Sequence, residues 1–227
     1  MIIAELGVNH NGSLKLAKKL VDKAKWAGAD YIKIQNYIPE LIVTKKTPKA
    51  DYQKKNDGIQ GNMYKMLKKY HFNFSKTTKL INYCKKKKIN FMSSPFDEES
   101  LKFLIYKKIG IIKIASGEIT NYPLLKQLAN SNCKIILSTG MANLQEVKNT
   151  INFLKKNGMK KDKIIILHCT SQYPTKPKDV NLKAMLKLKR TLNLEVGLSD
   201  HTLGFEAAIC ARYLGALVVE KHITLDS

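Results

Sequence analysis

Short apolar runs alternate with segments of helical periodicity along the chain, and this alternation predicts eight strand–helix steps. The runs fall at 2–5, 31–35, 89–94, 111–116, 134–138, 163–167, 194–198 and 216–219. Between the first two, Leu14, Ala17, Leu20, Val21, Ala24 and Ala27 recur at helical spacing, with Ser13 able to cap the helix and Gly28 to close it. Helical pattern returns at 63–70, 77–86, 98–106, after Pro123, up to a stop at Gly158, and at 182–190 and 205–214. Residues 38–62 lack periodicity and read as a long polar loop, of a length usually functional or mobile. Strands separated by helices build a parallel sheet, and eight such steps over residues 1–227 predict one domain, a (β/α)8 TIM barrel.

Side chains at alternate strand positions share a face, so the polar residues inside the apolar runs report the barrel lumen. Lys33 and Gln35 share one face while Ile32 and Ile34 take the other; Lys113 lies between Ile112 and Ile114; Glu220 points with His222. Chemistry in such barrels collects where strands end. Serines stand there (Ser94, Ser116, Ser199), as do carboxylates (Glu5, Glu118, Glu220). An unpaired buried charge is costly, so these groups must pair with each other or with a ligand. A structural network of ion pairs is the alternative reading for each one. His201 and His222 close successive runs and would converge on one rim, near enough to share a metal ion; one surface and one core histidine would produce the same pattern.

The net charge of +22 raises nucleic acid as a partner. Its source argues otherwise. Lysines fall on the polar faces of helices, and Arg190 and Arg212 are the only arginines, whereas base readers favour arginine. The charge would still attract anionic small molecules. With 44% hydrophobic residues the chain has material for a large core, yet no run reaches the ~20 apolar residues that cross a bilayer. Cys84, Cys133, Cys169 and Cys210 are scattered without a C-x-x-C, which suits free thiols in the cytoplasm. Neither nucleic acid nor membrane is expected as a partner.

Taken together, Ala4-Glu5-Leu-Gly-Val-Asn-His-Asn-Gly12, Ile32-Lys33-Ile-Gln35, Ser94-Pro-Phe96, Lys113-Ile-Ala-Ser-Gly-Glu118, Ser138-Thr-Gly-Met141, His168-Cys-Thr-Ser-Gln-Tyr-Pro174, Gly197-Leu-Ser-Asp-His-Thr202 and Glu220-Lys-His-Ile-Thr-Leu-Asp226 resemble the sialic acid synthase family. Its members include legionaminate and pseudaminate synthases. The resemblance implies condensation of phosphoenolpyruvate with an open-chain N-acetylated amino hexose, such as N-acetylmannosamine or a 2,4-diacetamido analogue, with release of phosphate. It implies a divalent ion held by His201 and His222, manganese first, with magnesium and cobalt as alternatives. Phosphoenolpyruvate contacts map onto Lys33, Ser94, Lys113, Ser116 and Ser199, and sugar-side positions onto Glu5, Gln35, Phe96, Glu118 and Tyr173. Glu5 is the expected general base for the attacking water. Ser171 also maps to the phosphate side, where relatives often carry asparagine.

Family members continue through a last barrel helix into a small antifreeze-like domain, which in a homodimer lends an arginine to the neighbouring sugar site. The chain stops at Ser227, so the resemblance leads us to expect a barrel truncated after strand eight and weak activity alone. A synthase of 3-deoxy sugar acids and a non-catalytic barrel binding acidic ligands are the alternatives.

Overall fold

A computed structural model describes residues 1–49 and 61–225. Eight parallel strands close into a barrel in sequence order: β1 (Ile2–Gly7), β2 (Tyr31–Asn36), β3 (Asn90–Pro95), β4 (Ile111–Ile114), β5 (Lys134–Ser138), β6 (Ile164–Cys169), β7 (Glu195–Asp200) and β8 (Val218–His222). The helices are α1 (Leu14–Trp26), α2 (Pro39–Ile42), α3 (Met63–Tyr70), α4 (Phe74–Lys87), α5 (Glu98–Tyr106), α6 (Tyr122–Ala129), α7 (Leu144–Lys156), α8 (Leu182–Leu192) and α9 (Glu206–Tyr213). The (β/α)8 barrel is the fold the periodicity predicts. Helix starts are fixed by side chains that accept from orphaned N–H groups: Ser13 from Leu16, Asn73 from Lys76, Asp97 from Ser100, and Asn143 in a capping box with Glu146.

Most strand runs shift by a residue or two at their ends, and the larger differences from the sequence reading have local reasons. The last two strands sit later than their apolar runs, because polar residues on the lumen side, Ser199, Glu220 and His222, belong to the ladder. β4 ends at Ile114, and Ser116–Glu118 forms a 3-10 turn instead of extending the strand. The segment at 38–62, read as loop, contains α2 and the residues leading to α3, while 50–60 lie outside the described residues, as does Asp226. Among the described residues no helix follows β8, and Ile209 and Tyr213 of α9 are exposed.

The core has two shells. Outward-facing strand residues such as Leu6, Ile32, Ile34, Ile112, Ile114, Leu137 and Ile166 pack against the helices. A smaller inner plug of Ile3, Met92, Ile136, Leu167 and Val218 fills the lumen. Residues two further along the strands form the next layer up, and that layer is polar. Gly197 sits level with the plug, where a Cβ would collide with the backbone oxygen of Val218 and stand 2.7 Å from Cδ2 of Leu167. Gly197→Ala is therefore expected to destabilise the barrel by about 3 kcal/mol through overpacking against a backbone that cannot yield; a urea midpoint within error of wild type would contradict it.

Candidate active site

Each inward side chain of the polar layer is placed by strand parity. In the ladders Glu5 lies beside Lys33 on one side and His222 on the other, Gln35 beside Ser94, and Ser199 beside Glu220. Glu5, Lys33, Lys113 and Glu220 are all buried and form one chain of ion pairs across the barrel mouth. Lys33 Nζ lies 3.0 Å from Glu5 and 3.5 Å from Glu220, and Lys113 Nζ lies 3.2 Å from Glu220. Ser199 Oγ donates to the same Glu220 carboxylate at 3.0 Å, and Lys33 donates to Ser94 Oγ at 3.3 Å.

Two carboxylates and two ammonium groups neutralise one another, which is how so much charge is tolerated out of water. Their pKa values are pulled apart. Burial pushes the Glu5 carboxyl up, against the pull of Lys33. Glu220, also penalised by burial, is held down to about 2 because both lysines and Ser199 face it. Lys113 is lowered by burial and by the neighbouring Lys33 cation. Lys33, flanked by two carboxylates, is raised despite its own burial. The Ser138 hydroxyl is buried in this layer with no hydrogen-bond partner among the described residues. A polar atom so placed is suited to a ligand.

The layer is the floor of a cavity of about 690 Å³. His201 follows β7 and His222 ends β8, with ring centroids 5.7 Å apart on one rim. The Tyr173 ring lies against both, 4.1 Å from His201 and 6.0 Å from His222. His201 Nδ1 bonds the carbonyl of Thr170 at 2.8 Å, which fixes the proton there and leaves Nε2, 3.5 Å from Ser199 Oγ, with a free lone pair. Both rings are kept neutral. Burial lowers His201, and burial together with Lys33 brings His222 down to about 4 although solvent reaches it from the cavity.

Neutral imidazoles on one rim suit a divalent ion, since ring centroids at this spacing allow both to reach an ion ~2 Å from each nitrogen. Among the described residues there is no cluster of three or more His, Cys, Asp or Glu side chains able to hold a metal. An ion at this pair would keep several positions for water and substrate, as catalytic sites do.

Of the residues singled out from sequence, Glu5, Lys33, Gln35, Ser94, Phe96, Lys113, Ser116, Tyr173, Ser199, His201 and His222 line this cavity. Two do not. Glu118 sits in the 3-10 turn, where it accepts from Asn121 at 2.7 Å, and Ser171 is exposed, 3.4 Å from Ser116 Oγ. For Glu118 the reason is the early end of β4, which turns the chain away before residue 118; Ser171 lies two residues past the end of β6. The lining also holds groups given no role from sequence: Ser138 and Cys169 at the ends of β5 and β6, and an apolar wall from α2 and α3. Strand parity carried the signal for the first two, because they align with Ile136 and Leu167 of the plug.

The profile of the NeuB family matches residues 20–227. The chain is 48% identical over 226 residues to the N,N'-diacetyllegionaminic acid synthase of Campylobacter jejuni, covering 100% of this chain and 68% of that protein. It is 45% identical over 227 residues to the enzyme of the same name from Legionella pneumophila, covering 99% of this chain and 64% of that protein. The crystal structure of N-acetylneuraminic acid (sialic acid) synthetase from Leptospira borgpetersenii in complex with citrate superposes with a TM-score of 0.86 at 35% identity, over 99% of this chain and 73% of that one. The chain thus spans about two thirds of the length of the relatives it matches. Polar floor, paired histidines and these matches lead to one assignment: the chain belongs to the NeuB family.

Proposed function

We propose that the protein is the barrel of a synthase that condenses phosphoenolpyruvate with an N-acetylated amino hexose to give a nonulosonic acid and phosphate. The observation that carries this reading is the buried chain Glu5–Lys33–Glu220–Lys113 beneath a pair of neutral histidines, a floor that joins cations for an anionic substrate to a carboxylate base. Lys33 and Lys113 bind the phosphate and carboxylate of phosphoenolpyruvate as point charges, and Ser94, Ser116, Ser138 and Ser199 supply hydroxyls around them. The enol π pair of phosphoenolpyruvate forms a carbon–carbon bond from its methylene to the sugar's aldehyde carbon, while the carbonyl π pair moves to the aldehyde oxygen, which takes a proton from solvent and becomes a hydroxyl. Water then adds to the carbon bearing the phosphate ester, Glu5 takes the proton from that water, and the C–O bond to phosphate breaks. His201 and His222 would hold a divalent ion, with manganese the first choice, that polarises the aldehyde oxygen. Cytoplasmic placement suits the four free thiols among the described residues, and a homodimer is the expected assembly.

The test is phosphate release from phosphoenolpyruvate with a panel of N-acetylated hexoses, with and without manganese. His222→Ala is expected to lose at least 100-fold in kcat/KM and to lose its response to manganese, while still binding phosphoenolpyruvate. Metal-stimulated turnover unchanged in that variant would refute the assigned ligand.

A further inference from the structure

We infer that the ion pair Asp200–Lys221, on the outer side of the barrel, is a positioning device that sets the separation of His201 and His222. This rests on the synthase reading above, in which those histidines hold the divalent ion. Ser199, Glu220 and His222 face the lumen, so by parity Asp200 and Lys221 face outwards, opposite each other in the β7–β8 ladder. Each immediately precedes one of the two histidines. Leu198, the outward residue before Asp200 on β7, joins the apolar core; at the next outward position the sheet carries this charged pair instead.

The pair closes a cycle of bonds. Lys221 Nζ lies 2.7 Å from Asp200 Oδ2 and donates to the carbonyl of Thr202 at 2.8 Å. Thr202 N in turn donates to Asp200 Oδ1 at 2.9 Å. The β7–β8 register ends at Asp200 and Lys221, and the cycle carries the connection past His201 to Thr202. It clasps the two residues that flank His201 and ties them to the residue before His222.

Each histidine is also anchored to a different neighbour. The His201 carbonyl accepts from Thr175 N at 2.9 Å and its Nδ1 bonds the Thr170 carbonyl, both in the segment after β6. Beyond His222, Ile223 N donates to the carbonyl of Glu5 on β1 at 3.0 Å. The Asp200–Lys221 cycle joins these two anchors. An ion pair adds little net stability over apolar residues of similar volume, but it fixes direction. An ion held by two imidazoles depends on their spacing, and bonded groups behind metal ligands are commonly worth about 10–100-fold in affinity.

The experiment titrates manganese into the metal-free protein and reads unbound manganese by electron paramagnetic resonance. It compares wild type, the double variant Asp200→Leu with Lys221→Met, Lys221→Met alone, and His222→Ala. The double variant removes one charge of each sign, so the net field at the histidines changes little. Lys221→Met removes only a cation, which by charge alone would tighten manganese binding. We expect both to bind manganese about tenfold more weakly per folded molecule, with phosphoenolpyruvate affinity, measured without metal, unchanged. A pair that serves stability alone predicts a lowered urea midpoint with manganese affinity intact. Manganese affinity within about threefold of wild type in either variant would overturn the inference alone, as would loss of phosphoenolpyruvate affinity in step with that of the metal. Absence of manganese binding in the wild type, or binding that His222→Ala leaves unchanged, would overturn the assigned metal ligands with it.

Discussion

Replacing Glu220 with alanine is expected to lower stability by about 3–5 kcal/mol, among the largest losses any single substitution in this chain should cause. Glu220 is the hub of the barrel mouth. Its carboxylate faces Lys113 at 3.2 Å, Lys33 at 3.5 Å and Ser199 at 3.0 Å, and all four side chains are buried. Without it Lys33 keeps Glu5 at 3.0 Å, but Lys113 is left with no counter-charge within ion-pair distance among the described residues. The cost is the desolvated cation, not the lost bond. A double-mutant cycle separates the two. Adding Lys113→Met to Glu220→Ala removes the stranded charge, so the double variant should be more stable than Glu220→Ala alone by roughly 1–2 kcal/mol in urea unfolding. If the two substitutions simply add, the four groups do not act as one ion chain.

That hub was half legible in the sequence. An acidic residue between Val219 and Lys221 in an apolar run, two positions before a histidine, shows by parity that it points into the lumen. What parity cannot show is which lysine it meets. The contact with Lys113 joins residues 107 apart, on strands that are not neighbours in the barrel. It depends on closure of the whole sheet. Lys33 and Lys113 were legible for a simple reason: a lysine flanked by isoleucines on a short run has nowhere to go but inward. The histidines were legible as strand-end residues, while their 5.7 Å approach required β7 and β8 to run on past their apolar stretches.

The α3 wall shows the opposite case. Its helix is plain from periodicity, and Met63–Tyr70 is where the pattern places it. Its place in the cavity wall is not, because an apolar stripe that lines a cavity has the same spacing as one that joins a core. Only the position of the helix over the barrel mouth tells them apart, and that is set by distant contacts to Tyr37, Thr47 and Gly12. Glu118 failed to reach the cavity for a related reason. The carboxylate follows its strand in sequence, but a 3-10 turn intervenes and Asn121 holds the side chain. Parity counts hold only as far as the strand does.

Glu5→Gln is expected to reduce kcat by about 10²–10⁴-fold, the range a positioned general base supplies. The substitution keeps the shape and removes the proton acceptor. Lys33, the partner of Glu5 at 3.0 Å, retains Glu220 at 3.5 Å, so the cation stays in place to bind phosphoenolpyruvate. Affinity for phosphoenolpyruvate should then change by less than about threefold while turnover with an N-acetylated hexose collapses. This division between kcat and binding is what separates a base from a residue that merely holds Lys33. A structural role predicts the reverse, with weaker binding of phosphoenolpyruvate and turnover falling in step at low concentration but recovering at saturation. Glu5→Asp sharpens the comparison. It restores a carboxylate but withdraws it from the cavity by one methylene, so it should recover binding fully and turnover only in part. Saturated turnover of Glu5→Gln within tenfold of wild type would assign the proton to some other group on the floor.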